Sequence, residues 1–242
     1  MNTDRAPEDS STAGPVTAAT ERLIATVAAF EPDDLGVPSR CPGWTRAHVI
    51  AHVARNADAQ VNLLTWAGTG TVTPMYASAE SRAADIEAGA KRDLAELLED
   101  LIDSAGRFTA AVSAMPGEAW QHEVRLGPGG GGRPIPARRV LWQRLKEVEI
   151  HHVDLDAGYG PDDWSPAFVE RALAESVRML NKREDAPAVN LIVDGAPMSI
   201  GAGAGTTVTG PAPHVLAWLT GRSRGADLAV EPAPIPVLPP WA

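Results

Sequence analysis

Apolar residues recur every three or four positions through residues 15–30 (PVTAATERLIATVAAF), which predicts a first α-helix. The stretch LGVPSRCPGW then interrupts the pattern with Pro38, Pro42 and Gly43. The helical period resumes after Trp44 in HVIAHVARNADAQVNLLTWA, with Thr45 as the N-cap. After the loop GTGTVTPMY, residues 78–115 are rich in Ala and Leu with alternating charges. They predict one long third helix, kinked at Gly89 or Gly106. MPGEAW ends it. HEVRLGPGGGGRPIPAR predicts a β-hairpin or a mobile loop, and its four consecutive glycines favour mobility. A fourth helix is expected over residues 137–157.

The pattern changes after Tyr159. SPAFVERALAESVRMLNKR reads as an amphipathic helix with Ser165 at the N-cap and Pro166 at its first position. Two short strand-like runs follow, VNLIVDG and TTVTG, then a closing helix begun by PAPHVLAWLTGR. EPAPIPVLPPWA ends the chain as an extended tail. No internal repeat is visible. These elements predict an α+β fold: a disordered lead-in over residues 1–14, a four-helix bundle over 15–160, and a smaller α/β domain with a Pro-rich tail over 161–242.

Composition narrows the partners. The chain of 242 residues is long enough for a sizeable core. It lacks the run of about 18 apolar residues that a membrane span needs. Its N-terminus, MNTDRAPEDSSTAG, has no apolar stretch of the kind a signal peptide carries. A formal charge of -10 argues against nucleic acid and anionic membranes, so an anionic substrate requires locally placed arginines. Cys41 is the only cysteine, which excludes a disulfide framework and makes a reducing cytoplasm the expected setting. A monomer is expected. Any metal site must use His and carboxylate ligands.

Such ligands occur in EVEIHHVDL, residues 147–155. On a helix, Glu147 and His151 stand one above the other on one face, whereas Glu149 is rotated away and His152 falls nearer to it. The second helix offers His48 and His52, also four apart. If the two helices face each other, one of those histidines can meet Glu147 and His151. Two imidazoles, one carboxylate and an open fourth position form the pattern of catalytic zinc. Spacing alone leaves open which histidine is used. It also leaves open the plainer reading, helix histidines capped by nearby carboxylates. Imidazole and carboxylate together suit zinc, nickel, copper or ferrous iron.

GWTRAHVIAHVARNADA and RLKEVEIHHVDL resemble the mycothiol-dependent maleylpyruvate isomerases. The likeness extends to TPMYASAESRAADI, AWQHEVRLGPGGGGRPIPA and GRSRGADL, and so to most of the chain. It implies a DinB-like metal-binding four-helix bundle followed by an α/β domain. It further implies a divalent metal, usually zinc, held by one histidine of the second helix and an E-x-x-x-H pair of the fourth, at His52, Glu147 and His151 here. GWT-x-x-H-x-x-x-H is shared by the wider DinB-like group and marks fold and metal more than reaction. The glycine-rich loop is longer than is usual in the family.

The reaction so implied converts cis maleylpyruvate into trans fumarylpyruvate. Rotation about a double bond is prohibitively slow until a thiolate adds to it, and mycothiol brings the sulfur. The need for a borrowed thiol fits a chain whose Cys41 has no expected chemical role. The substrate is a dianion. The resemblance makes Arg222 the first choice to anchor it and Arg82 the second, against plainer roles as a helix C-terminal cation and a solvated helix position. Anchoring by Arg222 would require the C-terminal domain to fold back over the bundle. Other readings weigh less: His48 sits in the first turn of its helix, His152 packs against the neighbouring domain, Asp154 bonds a ligand imidazole or a surface arginine, and Trp44 anchors its helix in the core. His122 and His214 have no evident partner. An alternative activity is a mycothiol S-transferase acting on another electrophile. Metal-dependent hydrolysis without thiol, or non-catalytic metal binding, are further alternatives.

Overall fold

The computed structural model describes residues 12–202, 205–232 and 234–241; residues 1–11 of the expected lead-in lie outside the described residues. Helix α1 (Ala13–Ala28) buries Val16, Ala19, Leu23 and Val27 along one stripe, as its spacing predicts. It begins two residues earlier than the pattern suggests. Helix α2 (Arg46–Thr69) starts where the Thr45 N–H donates to His48 Nδ1 at 3.2 Å. Its small residues Ala47, Ala51, Ala54 and Ala57 are buried and admit close neighbours.

The expected third helix is two helices. α3 (Ala79–Gly89) stops, and α4 (Leu94–Ala114) restarts behind Asp93, whose carboxylate accepts from the Glu96 N–H at 2.9 Å. Asp93 and Glu96 form a capping box, a start signal hidden inside a charged run. Gly106 lies within α4 and causes no break. At Gly89 a Cβ would lie 2.8 Å from the Ala51 Cβ, so this glycine lets α3 press onto α2. Helix α5 (Arg139–Asp154) completes the bundle: α1 and α2 each pack against both α4 and α5.

Between α4 and α5 the chain forms a hairpin, β1 (Glu123–Arg125) antiparallel to β2 (Pro134–Pro136). Its glycine-rich tip is tied down. Gly129 N–H donates to the Tyr76 carbonyl at 2.9 Å, and Gly127 N lies 3.3 Å from Met75 Sδ. At Gly132 a Cβ would stand 1.5 Å from the Leu126 carbonyl oxygen, so the turn admits no side chain there. The glycines serve close backbone approach rather than the expected mobility.

The chain divides into two compact units, Met1–Ala157 and Gly158–Ala242. In the second, α6 (Pro166–Leu180) is capped by the Ser165 hydroxyl, as expected. A four-stranded sheet follows, ordered β4 (Ala196–Ile200), β3 (Val189–Val193), β5 (Thr206–Gly210), β6 (Ala229–Glu231). β3 and β5 are parallel and the other pairs antiparallel. The two strands missed by pattern are β4 and β6. Asp194 and Gly195, both at positive φ, make the tight turn that sends β3 back as β4. Helix α7 (Ala212–Leu219) packs against α6. The architecture is α+β.

Candidate metal centre

His52 on α2 and the pair Glu147 and His151 on α5 meet where the two helices pack. His52 Nε2 lies 3.1 Å from Glu147 Oε2 and 3.1 Å from His151 Nε2. The third side of the triangle, His151 Nε2 to Glu147 Oε2, is 3.5 Å. A tetrahedral ion bonded at about 2.0–2.1 Å holds its ligand atoms about 3.3 Å apart. The triangle therefore has the size of one face of such an ion's coordination shell. Both imidazoles are buried and the Glu147 side chain is 30% exposed, which leaves the site open on the carboxylate side.

Proton placement tests the fit. His151 Nδ1 donates to Asp154 Oδ2 at 2.8 Å, so a neutral His151 presents its lone pair at Nε2. That lone pair faces His52 Nε2 and a carboxylate oxygen. Such a triad needs a proton or a cation at its centre, and the donor set suits a borderline divalent metal. Burial works to keep the Glu147 carboxyl neutral, but contacts with His151 and His52 outweigh it and hold the group well below the usual carboxylate range. Burial also opposes charge on His151. Asp154, Cys41 and Glu147 together raise it well above the ordinary imidazole value. Burial, reinforced by the nearby His151, lowers His52 to about 4 against the pull of Glu147.

A supporting layer surrounds the three. The Cys41 thiol donates to Asp154 Oδ2 at 3.1 Å, so Cys41 stands behind His151 through one carboxylate. Nothing in the spacing signalled that link, because it joins the turn before α2 to the end of α5. The half-buried Trp44 ring lies 5.4 Å from the His52 ring, so it covers a site histidine rather than anchoring the core. Arg82 on α3 places Nη2 3.2 Å from His52 Nδ1, and its guanidinium lies 5.6 Å from the Tyr76 ring centroid. It is no solvated surface cation. Arg144, one turn before Glu147, is buried and donates to the Val53 carbonyl and to Asn56 Oδ1. A buried arginine in a bundle core carries no periodicity signal, and sequence reasoning missed it.

The remaining candidates sort by what they touch. Glu149 accepts from Arg22 at 2.9 Å and His152 Nε2 lies 2.8 Å from the Thr26 hydroxyl, so both face α1. Within the bundle, His152 thus packs against α1. His48 is occupied at the α2 N-cap, and its Nε2 reaches Glu87 at 3.4 Å. His122 Nδ1 donates to the Ala67 carbonyl, and His214 Nε2 lies 3.0 Å from Asp162. Arg222 belongs to the second unit, in the turn after α7. Its Nη1 donates to the Thr220 carbonyl at 2.7 Å and its guanidinium lies 4.9 Å from the Trp241 ring.

A four-helix bundle with two imidazoles and a carboxylate converging from facing helices, followed by a small α/β unit, defines the class: α+β proteins with a potential metal site between bundle helices. The family described as the mycothiol maleylpyruvate isomerase N-terminal domain matches residues 16–156, and the chain belongs to this family. A crystal structure of the mycothiol-dependent maleylpyruvate isomerase is similar over 100% of both chains, at 29% identity and a TM-score of 0.90. The crystal structure of an H52A mutant of a mycothiol-dependent maleylpyruvate isomerase is similar to the same extent, at 28% identity and a TM-score of 0.90. No curated protein sequence matches the chain. Among the described residues, no helix is long and apolar enough to cross a membrane.

Proposed function

We propose that this protein isomerises maleylpyruvate to fumarylpyruvate with mycothiol and a divalent cation, zinc, held by His52, Glu147 and His151. The observation that carries the reading is the triangle of donor atoms at 3.1, 3.1 and 3.5 Å in a member of this family. A cation held there would supply Lewis acidity, favouring the thiolate form of a nearby thiol or easing the charge of a developing enolate. Addition of a thiolate to the alkene leaves a single bond. Rotation and elimination then give the trans isomer.

The chain's own residues hold and orient. Asp154 fixes the tautomer of His151, and Cys41 fixes Asp154. His52 Nδ1 accepts from Arg82, so the neutral ring carries its proton at Nε2. If His52 held a cation through Nε2, its ring proton would sit at Nδ1, and the Arg82 guanidinium, which can only donate, would lose that acceptor. Arg82 is thereby directed to a new acceptor, and a substrate carboxylate matches its fork best. Arg222 is proposed to anchor the other carboxylate. The enzyme is proposed to act as a cytoplasmic monomer.

The test is an isomerase assay on purified protein with maleylpyruvate, with and without mycothiol, before and after chelation. Turnover should require both thiol and metal. Turnover indifferent to both would overturn the proposal. No turnover of maleylpyruvate, with thiol transfer to another electrophile, would make the protein an S-transferase instead.

A further inference from the structure

We propose that the Tyr76 hydroxyl is a catalytic hydrogen-bond donor to the ketone oxygen of the substrate, where negative charge collects when the thiolate adds. This rests on the isomerase reading above. The segment that carries Tyr76 is fixed from two sides. Asn62 Nδ2 donates to the carbonyls of Pro74 and Met75, both at 3.3 Å, and the hairpin tip donates to the Tyr76 carbonyl from Gly129. The ring lies against Arg82, which touches His52, so one side chain separates the phenol from the proposed metal ligands.

The hydroxyl is buried and its proton meets no acceptor among the described residues, although Asn56 and Arg82 lie close enough to donate to its oxygen. Its neighbours explain why. Asn56 Oδ1 already accepts from Gln60 Nε2 and from Arg144 Nη1, each at 3.0 Å, so Asn56 has only its amide N–H groups left to offer. Arg82 also offers only donors. Both stand near enough to influence the phenol, as does the charge of Glu147, but no hydrogen bond joins Tyr76 to that carboxylate. The phenol oxygen therefore faces donors while its proton has no acceptor. A buried polar group in that state is costly and is usually satisfied by what the site binds. Burial, and next the Glu147 charge, raise the phenol above its ordinary value, which keeps the proton in place for donation.

The chemistry balances without a further reactant. A sulfur–carbon bond forms, the alkene electron pair moves to the conjugated ketone oxygen, and the Tyr76 O–H stabilises that oxyanion. Elimination reverses each change, and the phenol proton stays on Tyr76 throughout. The donor points at charge that develops in the transition state rather than at the ground-state ketone.

Tyr76→Phe removes only the hydroxyl. We expect kcat with maleylpyruvate and mycothiol to fall about 100-fold, with zinc stoichiometry and the KM for mycothiol unchanged. A kcat within about twofold of wild type would overturn the proposal. A second arm does not depend on the variant folding. The chain has two tyrosines, so global replacement by 3-fluorotyrosine labels only Tyr76 and Tyr159 for fluorine NMR, and Tyr159→Phe assigns them. Titrating the zinc-loaded protein with succinylpyruvate, the saturated analogue that cannot add thiol, should move the Tyr76 resonance saturably. A Tyr76 resonance that stays fixed at concentrations of the analogue that inhibit turnover contradicts the donor role. If wild type turns over no maleylpyruvate, the isomerase reading fails, and the fluorine titration alone decides whether Tyr76 meets a diketo dicarboxylate.

Discussion

Asp154→Asn is the most informative perturbation of the proposed metal centre. Asp154 is buried and touches no proposed ligand atom directly facing the cation, yet it accepts from His151 Nδ1 at 2.8 Å and from the Cys41 thiol at 3.1 Å. The carboxylate does two things to His151. It fixes the ring with its Nε2 lone pair aimed at the cation, and it makes that lone pair more basic. Loss of such a partner typically weakens metal binding by about 10–100-fold, or about 1.4–2.7 kcal/mol. An opposing effect is built into the same contact. Asp154 is the largest of the influences that raise His151, so the asparagine variant lowers the competing proton affinity. Below the raised His151 value the wild-type site loses affinity to protonation and the variant loses less, whereas above it proton competition is small and the intrinsic weakening shows. Zinc competition against a chromogenic chelator should therefore give a wild-type to variant affinity ratio that grows with pH. A ratio that stays constant or shrinks as pH rises would refute the idea that Asp154 acts through His151.

Three further outcomes follow from other contacts. Gly89→Ala places a methyl 2.8 Å from the Ala51 Cβ, and thermal or urea unfolding should show a loss of about 1–3 kcal/mol from the strained α2–α3 packing. In metal-free protein, His52, lowered to about 4, contributes stability that is full above its unfolded value near 6.5 and is lost as pH falls towards 4. The drop is on the order of 3 kcal/mol and Glu147, also lowered, acts in the same direction. His151 is raised and acts oppositely above ~pH 6.5, so stability measured across pH should peak between these windows; a flat profile from pH ~4 to ~6.5 contradicts it. Arg82→Lys should raise the KM for maleylpyruvate about tenfold or more while leaving zinc content intact, because an ammonium lacks the fork that grips a carboxylate; an unchanged KM removes Arg82 from substrate binding.

Much of the bundle is written in local pattern. The stripe of Val16, Ala19, Leu23 and Val27, the Thr45 cap and the Ser165 cap each follow from residue spacing a few positions long. The break before α4 was legible in principle as Asp93 and Glu96, but a strongly helical composition masked it. The hairpin was one of two readings of this stretch, because four glycines permit disorder and close approach equally; contact with Met75 and Tyr76 decides between them. The pair Glu147 and His151 was visible at helical spacing, whereas the choice of His52 over His48 needed either family likeness or the facing of α2 and α5. Cys41, Trp44, Arg144 and Asn56 escaped because each reaches the centre across long chain separations, where no periodicity operates. Helical geometry fixes i and i+4 neighbours, and tertiary packing fixes the rest.

X-ray absorption at the zinc edge tests the central claim most directly: three side chains hold one cation and leave a place for sulfur. The zinc-loaded protein should show nitrogen and oxygen neighbours at about 2.0–2.1 Å, and mycothiol should add one sulfur at about 2.3 Å. Binding with no sulfur in the shell, or a fourth protein ligand that mycothiol does not displace, would contradict it.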